Sequence, residues 1–138
     1  MPHRYTVKVR FYELDPYGHL NHSVYVQLFE TGRIELLEEA GISLQVLEDQ
    51  GYRFLVSRIE TSFLRPVEAG AALVIETEVA EVKRASSIWE QRLLDGNEPA
   101  ANQRVRIGVT DLNGRPARFP AEMAVALEPY QSEVVLDV

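Results

Sequence analysis

The sequence predicts an α+β fold, with one long helix lying across an antiparallel sheet. Three observations carry that expectation. Tyr5–Phe11 alternates apolar and polar side chains, as a half-buried strand does. From about His22 to Ala40, Tyr25, Leu28, Phe29, Gly32, Leu36 and Leu37 recur at helical spacing, opposite Gln27, Glu30, Glu35, Glu38 and Glu39. After Gly51 the pattern is β almost to the end. One amphipathic helix followed by consecutive hairpins is an α+β arrangement.

The elements follow in order. Tyr12–Leu20 carries Pro16 and Gly18 and reads as an ordered loop. Asn21 or Ser23 then offers an N-cap, since either side-chain oxygen accepts from an early helix N–H. Gly41 ends the long helix. Gly32 costs a helix interior ~1 kcal/mol, which argues that the helix lies close against something flat there. Ile42–Gln50 reads as a short second helix. The candidate strands are Arg53–Leu64, Ala72–Val82, Ser86–Leu94 and Asn102–Leu112. Arg65-Pro66 with Gly70, Lys83-Arg84, Asp95-Gly96-Asn97 and Asn113-Gly114 punctuate them. Residues 116–138 read as a short turn of helix or strand and a loose, peripheral tail. One helix cannot cover both faces of a five-stranded sheet, so a homodimer or homotetramer is expected.

Composition narrows the function. A chain of 138 residues fits one domain, and 46% hydrophobic with 25% charged residues is a globular balance. The net charge of −7 argues against a nucleic-acid partner. No apolar run approaches the ~20 residues of a membrane helix, and the N-terminus lacks a signal-peptide pattern. Without cysteine there is no disulfide, thiolate metal site or cysteine nucleophile. A cytoplasmic location is the expectation.

Chemistry concentrates between Phe11 and Arg33. There a polar loop opens a helix whose first N–H groups lack intrahelical partners and whose dipole is positive. Such a place suits an anion, or a carbonyl oxygen becoming one. Asp15 is either a turn residue or a carboxylate acting as nucleophile or as base for water. The His22 backbone N–H is placed to donate to a carbonyl over the first turn. His19 and His22 form no helical H-x-x-x-H pair, so no metal is expected. Tyr25 reads as core with its hydroxyl reaching a polar neighbour. Glu30 and Arg33 are spaced as a helix-surface pair, or as a pair held in a dimer interface near the site. Lys83, Arg84, Ser86 and Ser87 read as a polar hairpin, or as cations and hydroxyls meeting phosphates. Walker A, G-x-G-x-x-G and G-x-S-x-G patterns are absent.

The run from Phe11 through Asp15, Gly18, His19, Asn21, His22 and Tyr25 to Glu30, Gly32 and Arg33 resembles a known signature. It is that of the 4-hydroxybenzoyl-CoA thioesterase-like branch of the hotdog-fold family. Phe63-Leu64-Arg65-Pro66 with Gly70, and Arg84-Ala85-Ser86-Ser87, extend the match over about residues 5–112. The resemblance implies a helix wrapped by a curved five-stranded antiparallel sheet, with active sites at a dimer interface. It also implies hydrolysis of an acyl-CoA or acyl-carrier-protein thioester without a cofactor. By position, Asp15 matches the catalytic carboxylate and the His22 N–H the donor that polarises the carbonyl. Asn21 and Tyr25 complete the candidate catalytic set. His19, Glu30, Arg33, Arg65, Lys83, Arg84, Ser86 and Ser87 are the candidate substrate-binding residues. Phe11 stands where those relatives carry tyrosine, with Tyr12 adjacent. Two other readings remain on the same fold: an enoyl-thioester hydratase or dehydratase, and a non-catalytic acyl-CoA-binding module. The His19 and His22 spacings from Asp15 do not fit the first, and the presence of Asp15 disfavours the second.

Overall fold

The computed structural model describes residues 1–132; residues 133–138, part of the expected peripheral tail, lie outside the described residues. Five strands form one antiparallel sheet: β1 (His3–Lys8), β2 (Arg53–Phe63), β3 (Ala72–Val82), β4 (Ser86–Asp95) and β5 (Glu98–Thr110). Their order is β1-β3-β4-β5-β2, so β1 and β2 are the edges. The helices are α1 (His22–Glu39), α2 (Leu44–Asp49) and α3 (Ala121–Leu127).

Two strands differ from the sequence expectation, each for a local reason. β1 starts earlier and ends at Lys8, because Ala72 is the first residue of β3 and no described strand lies beyond it to pair with. The Val9 N–H goes to the Ala71 carbonyl, and Phe11 opens a 3₁₀ turn, Phe11–Glu13, that leaves its ring 85% exposed. β5 begins at Glu98, ahead of Asn102, because the chain reverses within two residues and Asp95 pairs directly with Glu98. Gly96, at φ 65, makes that reversal possible. The segment after Pro116 is less peripheral than its composition suggests. α3 buries Met123 and Leu127 against Leu36, Leu37 and Trp89.

α1 follows the sequence pattern closely. Its buried side is Tyr25, Phe29, Gly32, Arg33, Leu36 and Leu37, spaced three and four apart. Asn21 is the N-cap, its side-chain oxygen accepting from the Ser23 N–H. At the other end Gly41 adopts φ 79, its N–H bonding Glu38 while Ile42 bonds Leu37. That pairing is a Schellman motif, which a left-handed residue requires.

The core has two apolar halves. Phe29, Leu73, Ile75, Leu93 and Ala101 belong to one, and Leu36, Val79, Trp89, Val105 and Ile107 to the other. On the helix and on three strands, one polar residue separates the halves: Arg33, Thr77, Gln91 and Gln103. The Gln91 side-chain amide donates to the Phe29 carbonyl (2.7 Å) and to Thr77 Oγ1 (3.0 Å). Arg33 Nη1 donates to Gln91 Oε1 (2.8 Å) and Gln103 Oε1 (2.9 Å), and Gln103 Nε2 to Thr61 Oγ1 (2.9 Å). A hydrogen-bonded layer thus crosses the core at mid-helix.

Gly32 lets the helix come down onto this layer. A Cβ there would sit 2.5 Å from Ile75 Cγ2 and 3.1 Å from both Gln91 Nε2 and Thr77 Oγ1. Ile75 is fully buried and β-branched, so its methyl has nowhere to swing. Overpacking of this kind costs about 1–3 kcal/mol, which opposes the ~1 kcal/mol that alanine gains in a helix. Gly32→Ala is therefore expected to lower the urea midpoint at unchanged m-value. A raised midpoint would mean that the helix stands further from the sheet than described.

Candidate active site

The chemistry-bearing loop is closed by its own backbone. Leu14 bridges to Leu20, the Asp15 N–H bonds the His19 carbonyl (2.7 Å), and the Gly18 N–H returns to the Asp15 carbonyl (3.1 Å). Gly18, at φ 80, turns the loop. Further bonds from the Leu20 N–H to Val67 and from the Asn21 N–H to Glu13 dock it to the body of the fold. Asp15 Oδ1 accepts from the Tyr17 N–H (2.9 Å) and the His19 N–H (3.0 Å). This is the turn-capping role that Asp before Pro invites. Its second carboxylate oxygen has no hydrogen-bond partner among the described residues, and Asp15 lines a groove of about 370 Å³.

The groove brings together the loop, the start of α1 and the end of β2. His19, Leu20, His22 and Tyr25 face Phe63, Leu64, Arg65 and Pro66 across it. His22 is the first residue of α1, and its backbone N–H has no acceptor among the described residues. Tyr25 is 3% exposed, its ring packed edge-on against Phe63 at 5.1 Å. Burial pushes the Tyr25 hydroxyl above its ordinary range, and the negative charges of Asp15 and Asp95 add to that. Arg65 stands at the rim, with Asp95 at 3.4 Å and Glu98 at 3.7 Å. His19 Nε2 lies 3.7 Å from Glu68. Phe63, Leu64 and Pro66 join the sequence-derived candidates as apolar groove walls. Their signal is the exposed end of a strand running into a proline, which spacing alone does not tie to Asp15.

Other candidates lie elsewhere. Glu30 and Arg33 line a second cavity, about 210 Å³, between α1 and the other end of β2. Arg33 is 5% exposed and, among the described residues, bonds only the side-chain amides described above. Burial pulls its guanidinium below the usual arginine range, with the Glu30 charge acting the other way. The helix-surface pair, one of the two readings of the i, i+3 spacing, does not form among the described residues, because Gln91 and Gln103 draw Arg33 inward.

Lys83, Arg84, Ser86 and Ser87 occupy the β3–β4 hairpin. Ser86 pairs with Gly108 at the end of the sheet that also holds Leu55, whereas Asp15 faces Phe63 at the opposite end. The length of β4, roughly 30 Å at ~3.3 Å per residue, separates the two within one chain. Lys83 Nζ sits 3.4 Å from Glu81. Ser87 Oγ is buried, accepting from Trp89 Nε1 (2.8 Å) and donating to the Ile107 carbonyl (3.5 Å), so it is not presented to a phosphate. Among the described residues no cluster of three or more His, Asp or Glu side chains is arranged to hold a metal ion. No described helix is long and apolar enough to cross a membrane.

Known proteins resemble this chain along most of its length. Residues 9–127 match the model of the thioesterase-like superfamily. The acyl-CoA thioesterase YbgC of Haemophilus influenzae is 31% identical over 124 residues, covering 88% of this chain and 91% of the relative. The chloroplastic acyl-acyl carrier protein thioesterase ATL2 of Arabidopsis thaliana is 26% identical over 137 residues, covering 98% and 73%. A thioesterase from Thermus thermophilus, solved in complex with coenzyme A and zinc, superposes with a TM-score of 0.82 at 30% identity, covering 93% of this chain and 92% of that one. The sheet order, the helix packed on it and these likenesses agree: the fold is the α+β hotdog, and the chain belongs to the thioesterase-like superfamily.

Proposed function

We propose that the chain hydrolyses an acyl thioester of coenzyme A or acyl carrier protein at the Asp15 groove. One observation carries the reading. A carboxylate with one oxygen tied into a turn and the other unpartnered shares a groove with the unpartnered N–H groups of a helix start. The thioester carbonyl lies over the first turn of α1, where the His22 N–H and the dipole favour developing negative charge. Asp15 either attacks the carbonyl carbon, giving a mixed anhydride that water then opens, or takes a proton from the water that attacks. In both routes the C–S bond breaks, the thiolate leaves, and one water is consumed. Asn21 fixes the helix start, and Tyr25 forms the apolar wall with a polar tip. No cofactor enters the reaction.

A dimer completes the reading. Among the described residues the outer edge of β2 has no strand partner, and its inward-facing Val56, Ile59 and Phe63 remain 40–52% exposed. Antiparallel pairing of β2 with β2 of a second copy brings the Phe63 end of one chain beside the Arg53 end of the other. The second copy's Lys83 and Arg84, remote from Asp15 in their own chain, then approach this groove. There they serve a nucleotide phosphate, which favours coenzyme A over a carrier protein.

Thiol release from a panel of acyl-CoA thioesters tests the chemistry. Asp15→Asn is expected to lower kcat by a hundredfold or more, ~2.7 kcal/mol of barrier, with the fold intact. Unchanged turnover would return Asp15 to a purely structural role. Replacing Lys83 and Arg84 together with alanine is expected to raise KM more than it lowers kcat, and equal losses in both would remove them from phosphate binding. Tyr25 supplies a check on the groove's electrostatics. Its phenolate absorbance, read as wild type minus Tyr25→Phe, is expected to appear above pH 10. Since the neutral form is favoured in the fold, its contribution to stability is full below the unfolded value and fades as pH rises through the folded one. Titration at or below 10 would mean that the ring is solvated and away from Asp15.

A further inference from the structure

Arg33 and Glu76 are both 5% exposed, yet only Glu76 has its charge matched at close range, by Arg4 and Arg92. Arg33 meets two neutral amide oxygens, both through Nη1. Among the described residues no carboxylate lies within ion-pair distance of it, and its Nε and Nη2 have no acceptor. These donors are not sealed in the core. Among the described residues His3 Nδ1 is the one side-chain atom that is both buried and unpartnered. The free edge of the guanidinium therefore opens onto the 210 Å³ cavity that Arg33 lines.

The rest of that cavity is mostly apolar, with Leu37, Phe54, Val56, Trp89 and Ile107 in its wall. Trp89 and Ile107 are 0% and 2% exposed, so its inner end reaches the core. A cation in the wall of an apolar chamber suits a ligand with one anionic end and an apolar body. Water would satisfy the donors but not the charge, and a buried charge left unmatched is costly. A carboxylate does both, because its two oxygens accept side by side from the adjacent Nε and Nη2. A phosphate monoester would bring further oxygens that the apolar wall cannot satisfy. Size sets the body of the ligand. An apolar cavity of about 150 Å³ admits benzene, so this one has room for a ring or short chain of roughly six to eight carbons. Glu30 also lines the cavity, but it is exposed, so solvent screens its repulsion of an anion.

We propose that this cavity is a second ligand site, which takes a small monocarboxylic acid. The carboxylate sits on Arg33 Nε and Nη2, and the apolar body lies against Phe54, Trp89 and Ile107. The site shares no lining residue with the Asp15 groove, and α1 rises about 16 Å between His22 and Arg33. It rests neither on the chemistry of Asp15 nor on a second copy of the chain.

Trp89 reports on the site directly, since it is the chain's single tryptophan and stands in the cavity wall. Cyclohexanecarboxylate, hexanoate and their uncharged amides are titrated into wild type, Arg33→Met, Glu30→Gln and Asp15→Asn. Both acids are expected to change the Trp89 emission saturably, with dissociation constants below about 10 mM, and to raise the urea midpoint. The amides have the same shape without the charge, and are expected to bind at least about tenfold more weakly. Arg33→Met is expected to bring the acids down to the affinity of the amides. Lost packing alone would weaken acids and amides alike. Glu30→Gln is expected to bind the acids more tightly, and Asp15→Asn as wild type does. Should Arg33→Met fail to fold, the comparison of acid with amide in wild type and Glu30→Gln carries the test. The site is overturned by equal affinity for acids and amides, or by no saturable change with either acid. Weaker acid binding in Glu30→Gln, or acid binding altered by Asp15→Asn, overturns it too. None of these results bears on thiol release by wild type or its loss in Asp15→Asn, so the two proposals fail separately.

Discussion

The Gln91 side chain ties the helix to the sheet through both ends of its amide. Its amide nitrogen reaches the Phe29 carbonyl through the gap left by Gly32, and its oxygen accepts from Arg33. The first contact fixes how far along the sheet the helix sits, and the second fixes its rotation. Hydrophobic burial alone specifies neither, because it is non-directional. The layer also fixes register. A one-residue slip of β4 or β5 would turn Gln91 or Gln103 to the outer face and leave Arg33 without its acceptors. The two apolar halves of the core supply most of the burial, and the polar layer between them permits one arrangement.

That constraint reaches the groove through the helix. His22 lies seven residues before Phe29 on a rigid element, so the anchoring of the Phe29 carbonyl also sets where the first turn ends. The loop on the opposite wall is held independently, by the Leu14–Leu20 bridge and by the bonds to Val67 and Glu13. Asp15 belongs to that loop. One of its oxygens caps the turn and the other has no partner among the described residues, so the structural role of one atom leaves the other open to the proposed chemistry. A carboxylate that gives up half its hydrogen-bonding capacity to stay oriented is better placed for reaction than one tumbling in solvent.

Local rules make much of this legible in the amino-acid sequence. The α1 boundaries, the Asn21 cap and the Gly41 stop follow from neighbours within five residues, and the Gly32 contact follows from a glycine where a helix does not want one. The Asp15–Tyr25 cluster is legible because its members are close in the chain. The features that escape such rules depend on distant partners. Phe11 alternates correctly with Tyr5, Val7 and Val9, yet a strand also needs a neighbour, and β3 has ended there. The spacing of Glu30 and Arg33 leaves a surface pair and an interface pair both open, because Gln91 and Gln103, which draw Arg33 inward, lie 58 and 70 positions away. The polar layer does leave a trace in the pattern: Thr77, Gln91 and Gln103 are polar at inward positions of otherwise apolar alternations.

The separation of the Lys83–Arg84 hairpin from Asp15 bears on the proposed dimer in a way that distance alone does not. Within one sheet, strand length keeps the two ends apart, and no loop motion of ordinary size closes roughly 30 Å. An antiparallel two-fold pairing exchanges the ends, so the feature most remote in one chain becomes adjacent across the axis. The same proposed operation would cover the inner face of β2. In the proposed dimer, two features that burden an isolated chain would be resolved by one symmetry operation: an open sheet edge and a half-exposed apolar stripe. A parallel pairing, or an edge contact through β1, would resolve at most one of them. On that ground the proposed dimer would complete the proposed site, with substrate binding shared between copies and Asp15 supplied by each.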